Sequence, residues 1–165
     1  MELRAFDPEK DFEIIKNWPE DERTHVMWCA NRFSFPLDKE NFIETLLEHK
    51  EKNGDLSFVA TEGDVPVGFF CHSLNDDTKE GMLKFVIVDP DCRGKGIAKE
   101  MFALLLKYAF NDTDAEAVQL VVFPKNPRAK RFYEKLGFRE RRTDEGAFSY
   151  KDESWDRCFM VITKE

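Results

Sequence analysis

Val86-Ile87-Val88-Asp89-Pro90-Asp91-Cys92-Arg93-Gly94-Lys95-Gly96-Ile97-Ala98 is the stretch on which the reading of this chain turns. It starts inside an apolar run, Leu83 to Val88, interrupted only by Lys84, which reads as a buried strand. Asp89-Pro90 stops the strand, because proline has no N–H to give a ladder. From Gly96 to about Phe110 the pattern is helical, with Ile97, Met101, Leu104, Leu105 and Tyr108 expected inward. A strand, a glycine turn and a helix start in that order gather free backbone N–H groups at the positive end of a helix dipole, which is an anion site. Gly94 and Gly96 let the backbone approach a phosphate closely and adopt positive φ. Arg93, Lys95 and Lys99 add positive charge, so the expectation is a pyrophosphate cradle.

Two phosphate-binding patterns fail here. A P-loop needs Gly-Lys followed by Ser or Thr, but Gly96 follows Lys95. A dinucleotide fingerprint needs a third glycine where Lys99 stands, and an acid in the next strand, which has none.

Working outward, Leu3 to Phe6 reads as a short strand, and Asp7-Pro8-Glu9 as the capped start of a helix. Glu20 to Ala30 is helical. Asp38 is expected to cap a third helix that buries Phe42, Ile43, Leu46 and Leu47 and ends at Asn53-Gly54. Ser57 to Thr61 and Val65 to His72 form a hairpin around Glu62-Gly63-Asp64. Downstream come a buried strand, Val118 to Phe123, a helix from Pro127 to Leu136 with Gly137 past its end, and strands Phe138 to Thr143 and Trp155 to Thr163. No repeat or linker appears, so residues 1–165 read as one α/β (α+β) domain with a mixed sheet and helices on both faces.

Two motifs carry a resemblance. Arg93-Gly94-Lys95-Gly96-Ile97-Ala98 resembles the R/Q-x-x-G-x-G/A coenzyme A motif of the GNAT superfamily of N-acetyltransferases, and Val88-Asp89-Pro90 its V-x-P strand ending. Asn126-Pro127-Arg128-Ala129-Lys130-Arg131-Phe132-Tyr133-Glu134-Lys135-Leu136-Gly137-Phe138 resembles the family's N-x-x-A-x-x-x-Y-x-x-x-G-F segment at every marked position. Their order, with one strand between them, makes the resemblance specific from Leu83 to Phe138.

The resemblance implies a GNAT-like, mostly antiparallel twisted sheet with acyl-CoA in a cleft between splayed strands. It implies an enzyme that moves the acetyl group of acetyl-CoA, its co-substrate, directly to an amine through a tetrahedral intermediate. The amine would belong to a small molecule or a peptide or protein N-terminus. Backbone of Val86, Ile87 and Val88 would pair with pantetheine. Arg93, Gly94, Lys95, Gly96, Ile97, Ala98 and Lys99 would hold the pyrophosphate. Asn126 would bond the pantetheine arm, and Tyr133 would act as general acid toward the leaving thiolate. No general base is assigned, since Val118 to Phe123 holds no acid and Leu83 to Val88 only Lys84; Glu22, Asp76, Asp77 and Glu80 stay open as water-relayed bases. The family's acceptor pocket points to Glu22, Trp28, Phe35 and Trp155 as substrate residues, with Trp18, Phe33 and Phe148 as further walls. Asp21, Asp152 or Glu153 would attract a cationic amine. The alternative is a non-catalytic acyl-CoA sensor of the same fold.

Composition bounds these readings. A chain of 165 residues buries roughly 70% of its unfolded surface, enough for a core. Net charge −8 argues against nucleic acid as a partner. Seven of the 25 Lys and Arg fall in two windows free of acid, Cys92 to Lys99 and Pro124 to Arg131, which suits a phosphorylated ligand there and a cationic partner elsewhere, or equally two helix surfaces that happen to be basic. No apolar run suits a membrane span or a signal core, so no membrane partner and a cytoplasmic location are expected. Cys29, Cys71, Cys92 and Cys158 are scattered and share no metal-ligand spacing with His25, His49 or His72, so reduced thiols and no metal are expected. A homodimer is left open.

Overall fold

Three aspartates set where the N-terminal helices of the computed structural model begin; it describes all 165 residues. Asp7, Asp21 and Asp38 are extended, and their carboxylates accept from the amides of Glu9 (3.0 Å), Thr24 (2.7 Å) and Asn41 (3.0 Å). Helices α1 (Pro8–Ile15), α2 (Glu22–Cys29) and α3 (Lys39–Asn53) therefore start on the next residue. Helix α3 stops at Gly54, whose φ of 76° lets its amide turn back to Lys50 O at 2.9 Å.

Strands β1 (Glu2–Ala5), β2 (Leu56–Glu62), β3 (Val65–Asn75), β4 (Glu80–Val88), β5 (Ala117–Val122), β6 (Arg139–Tyr150) and β7 (Glu153–Thr163) form one sheet. Their order is β1-β2-β3-β4-β5-β7-β6, and every pair is antiparallel except β4 with β5. Helices α4 (Ile97–Asp112) and α5 (Pro127–Leu136) cover one face, α4 through Met101, Phe102 and Leu105 packed with Phe70, Leu83 and Leu120, and α5 through the partly buried Ala129, Phe132 and Leu136. Helices α1 to α3 cover the other, packing Phe12, Ile15, Cys29 and Phe42 on Val59, Phe69, Phe85 and Ile87.

One irregularity shapes the middle of the sheet. Between the pairs Cys71↔Lys84 and Phe69↔Ile87, β4 places two residues, Phe85 and Val86, opposite the single Phe70. This β-bulge puts Phe85 at φ 55°, strained for a bulky side chain by roughly 1 kcal/mol or more. The ring is held by Phe33 (centroids 4.6 Å apart), His49 (5.5 Å) and Trp28 (6.3 Å). Parallel pairing of β4 with β5 runs only from Glu80↔Ala117 to Met82↔Gln119, so the strands part just before the bulge.

Three expectations need correction. Leu47 is 54% exposed, because Phe42 and Leu46, one turn apart, already supply the buried stripe of α3. Helix α4 buries Met101, Phe102, Leu105 and Ala109, while Ile97, Leu104 and Tyr108 are only half-buried. From Met101 to Phe110 only Lys107 is charged, so periodicity alone does not fix which side faces in. Strand β6 runs on to Tyr150 rather than ending at Thr143: a second bulge, between Asp144 and Phe148, absorbs the polar Glu145-Gly146. Gly146 takes φ 59° there and its amide donates to Asp156 Oδ1 at 2.9 Å.

Candidate active site

Beyond Met82 the parted strands leave a cleft of about 630 Å³ that passes through the sheet. Met82 to Val88 of β4 and Leu120 to Phe123 at the end of β5 form its sides. The start of α4 and residues Asn126 to Tyr133 close it on one face; Thr24 to Ala30 around α2, with Arg32, close it on the other.

At the α4 end the sequence dictates an anion site. Gly94 and Gly96 sit at φ 77° and 78°, and a Cβ built on either meets nothing within 4 Å, so the turn is open to a ligand. Gly96 is the helix N-cap and has no side chain to cap with. The first α4 amide to find a helical acceptor is that of Glu100, on Gly96 O at 3.1 Å, which leaves those of Ile97, Ala98 and Lys99 free. Arg93, Lys99 and Arg128 line the same end; Lys95 is exposed outside the lining. The arrangement fits the pyrophosphate of coenzyme A. Along the wall, β4 past Met82 has β3 on one edge only, so backbone of Val86 to Val88 is free to pair on the other.

Asn126 caps α5, its Oδ1 accepting from Ala129 N at 3.3 Å, and its side-chain NH2 is left for the cleft. Tyr133 lines the cleft from the next turns of α5, its ring packed on Phe102 (5.6 Å), Phe132 (5.6 Å) and Phe138 (5.9 Å). Burial pushes its phenol up to about 12, so the hydroxyl keeps its proton at neutral pH.

Of the four sequence-named substrate residues, only Trp28 lines the cleft. Trp155 is fully buried against Phe123 and Tyr150. Phe35 borders a separate depression with Lys16 and Pro19, and Glu22 lies 3.9 Å from Lys151. The acids named beside them are engaged or outside as well: Asp21 caps α2, Glu153 pairs with Arg23 at 2.7 Å, and Asp152 is exposed. Glu80 is held by Arg141 at 2.7 Å.

Sequence reasoning missed Thr24, Met27, Arg32, Phe85, Phe123 and Arg157, which the fold brings to the α2 side of the cleft. Six charged residues line the whole cleft, Arg32, Lys84, Arg93, Lys99, Arg128 and Arg157, and all are basic. Lys84 is neutralised by Asp55 at 3.2 Å. Burial, and then the Lys84 charge, holds the neighbouring His49 below the usual imidazole range.

Known proteins share both architecture and sequence. The spermidine N-acetyltransferase of Vibrio cholerae in complex with CoA and spermine superposes with a TM-score of 0.80 over 98% of this chain and 94% of its own, at 24% identity. A chimera of that enzyme with hSSAT gives 0.80 over 99% and 96%, at 22% identity. These likenesses are of fold. In sequence, an SPbeta prophage-derived uncharacterized N-acetyltransferase of Bacillus subtilis (strain 168), YokL, is 30% identical over all of this chain and 90% of its own length. An uncharacterized N-acetyltransferase of Methanocaldococcus jannaschii is 33% identical over 59% of this chain and 60% of its own. Residues 8–138 match the acetyltransferase (GNAT) family, a span that includes the glycine turn, Asn126 and Tyr133. With the parted strands and the capless helix start behind it, the match is conclusive: the chain belongs to the GNAT family of acetyltransferases and is an acetyl-CoA-dependent acyltransferase.

Proposed function

We propose that this protein transfers the acetyl group of acetyl-CoA directly to a primary amine that enters from the α2 side of the cleft. The observation that carries the reading is the parting of β4 and β5 after Met82, with the free α4 amides on one face and the Trp28 wall on the other. It lets two substrates meet in the plane of the sheet. Structural neighbours named as spermidine acetyltransferases support an amine acceptor.

The acceptor nitrogen attacks the thioester carbonyl, a C–N bond forms, the C–S bond breaks, and coenzyme A leaves as the thiol. Amides of Gly94 to Lys99 with Arg93, Lys99 and Arg128 bind the pyrophosphate, and β4 from Val86 to Val88 aligns the pantetheine arm, with Asn126 donating to it. A free β4 amide beside the bulge meets the oxyanion of the tetrahedral intermediate, a contact that costs no reorganisation because the strand is already fixed. Tyr133 donates to the departing sulfur. No carboxylate lines the cleft, so the amine reacts from its neutral fraction and gives its proton to water.

Steady-state thiol release from acetyl-CoA across an amine panel, with mass detection of the acetylated product, tests this reading. Tight acetyl-CoA binding without turnover of any amine in the panel would count against a primary amine as the acceptor.

A further inference from the structure

We infer that the acceptor carries an oxyanion group besides its amine, and that Arg157, supported by Arg32, holds that group on the α2 side of the cleft. The inference rests on the acetyl-transfer reading and names the class of acceptor within it: an amino acid-like zwitterion with an apolar body. The reacting amine is itself a cation in solution; the inference concerns the other end of the molecule.

Arg157 faces α2 by strand alternation. Trp155, two residues before it on β7, packs with Val26 of α2, whereas Cys158 and Met160 point into the α4 cluster. The guanidinium is half-buried and makes no ion pair or hydrogen bond, and its Nε is sealed from solvent with no partner. Five of the ten arginines make no ion pair, and of these Arg157 alone is not exposed to solvent. Arg4, Arg23, Arg93, Arg141 and Arg142 all find a carboxylate within 3.4 Å. A half-buried cation left unpaired is costly unless a counter-charge arrives.

A second wall group makes the same demand. Trp28 lines the same cleft, and its Nε1 is buried just behind that wall without an acceptor. Tryptophan and arginine side chains can only donate, and so can the ammonium groups of a polyamine. A carboxylate or phosphate offers the acceptors and the negative charge that this wall lacks. Arg32, also without an ion pair, adds a second cation at the α2 end. Met27, Trp28, Phe85 and Phe123 present apolar surface nearby, which suits an apolar body. A guanidinium meets a carboxylate with two parallel hydrogen bonds, so the pairing would also orient the amine.

The experiment compares L-phenylalanine and L-methionine with their amides, with phenethylamine, with phosphoethanolamine and with spermidine. It measures kcat/KM by thiol release. Referred to the neutral amine, whose fraction is larger for an amide because its α-amine is less basic, carboxylate-bearing acceptors should exceed their matched amides by about tenfold or more, the size of a charged hydrogen bond. The phosphoethanolamine arm separates a phosphate from a carboxylate as the group held. Arg157→Gln should bring the carboxylate-to-amide ratio close to one, through KM rather than kcat, and Arg157→Lys should restore part of it. Circular dichroism reports folding, and Arg32→Gln serves if Arg157→Gln does not fold. A preference for spermidine or phenethylamine, or a ratio unchanged in both Gln variants, overturns the inference. If no amine is turned over, the transfer reading fails, and the pocket is judged by melting shifts with N-acetyl-L-phenylalanine. A shift in the parent protein that Arg157→Gln loses upholds the oxyanion site, and no shift removes it.

Discussion

Lys84 Nζ lies 3.2 Å from both oxygens of the Asp55 carboxylate, and the next residue on β4 is the bulged Phe85. The acid is buried at 3% exposure, and the Lys84 side chain is 17% exposed, so the pair is largely withdrawn from water. It ties the loop after α3 to the bulge, at the point where β4 turns from β5.

Asp55→Ala should therefore destabilise the protein by about 3 kcal/mol, because it strands an ammonium in a poorly solvated place. Asp55→Leu combined with Lys84→Met should recover much of that loss, since neither charge then remains. Urea midpoints of the single and double variants measure it; a single variant as stable as the parent would mean that water already solvates Lys84.

Gly96→Ala should weaken acetyl-CoA binding far more than Gly54→Ala, at similar cost to stability. Both glycines sit at almost the same φ, 78° and 76°, and a Cβ on either meets nothing within 4 Å. Each substitution then carries the left-handed strain of about 1–2 kcal/mol and no clash. Only at Gly96 would the added methyl stand in the phosphate turn. Calorimetric titration with acetyl-CoA, beside thermal melts, separates the two effects. Equal affinities in both variants would mean that phosphate does not approach Gly96.

Stability should fall as pH is lowered from about 6.5 toward 4. His72 is 3% exposed, its Nε2 has no partner, and burial takes its pKa down to about 4. Burial is also the main cause that lowers His25 and His49. An unfolded histidine titrates near ~6.5, so in this window the unfolded chain binds protons that the folded one does not, and acid favours unfolding. His72 alone contributes about 3 kcal/mol at most. His72→Leu should flatten the slope of urea midpoint against pH, leaving the part due to His25 and His49. An unchanged slope would mean that His72 protonates inside the fold.

The two motifs were legible because each residue in them answers a local demand. Gly94 and Gly96 take the positive φ of an open turn, Asn126 caps a helix, and Gly137 ends it. The aspartate caps of α1 to α3 were readable for the same reason. The bulge was not: a phenylalanine at φ 55° has no local signature, since its conformation is imposed by Phe33, Trp28 and His49 from elsewhere in the chain. Arg32 and Arg157 lie far apart in sequence and reach the same cleft only because the fold sets β7 beside β5 and α2 over the parted strands. Tryptophans on the early helices and the last hairpin were read as pocket walls from the family's acceptor site, and burial divides them: Trp28 lines the cleft while Trp155 fills the core behind it.

Tyr133→Phe should lower kcat by about 100-fold and leave acetyl-CoA affinity nearly unchanged. The ring contacts with Phe102, Phe132 and Phe138 survive in phenylalanine, so packing and ground-state binding lose little. What disappears is a donor to the sulfur as its charge develops, an interaction made mainly in the transition state. The phenol at about 12 is a weaker acid than an ordinary thiol near ~8.5. Complete transfer to a solvated thiolate would run uphill; a thiolate desolvated in the same cleft is more basic, which brings the two closer. The raised value also fixes the pH behaviour. The hydroxyl should stay protonated through pH 9, so Tyr133 should add no alkaline fall to the parent's kcat between pH 7 and 9. Above pH 10 the unfolded tyrosine ionises before the folded one, so the unfolded state holds fewer protons and stability declines as pH rises. Single-turnover acetyl transfer by parent and variant across pH 6 to 9, with acetyl-CoA affinity measured alongside, decides the point. Parent-like turnover by Tyr133→Phe would leave this tyrosine a packing residue and hand protonation of the thiolate to water.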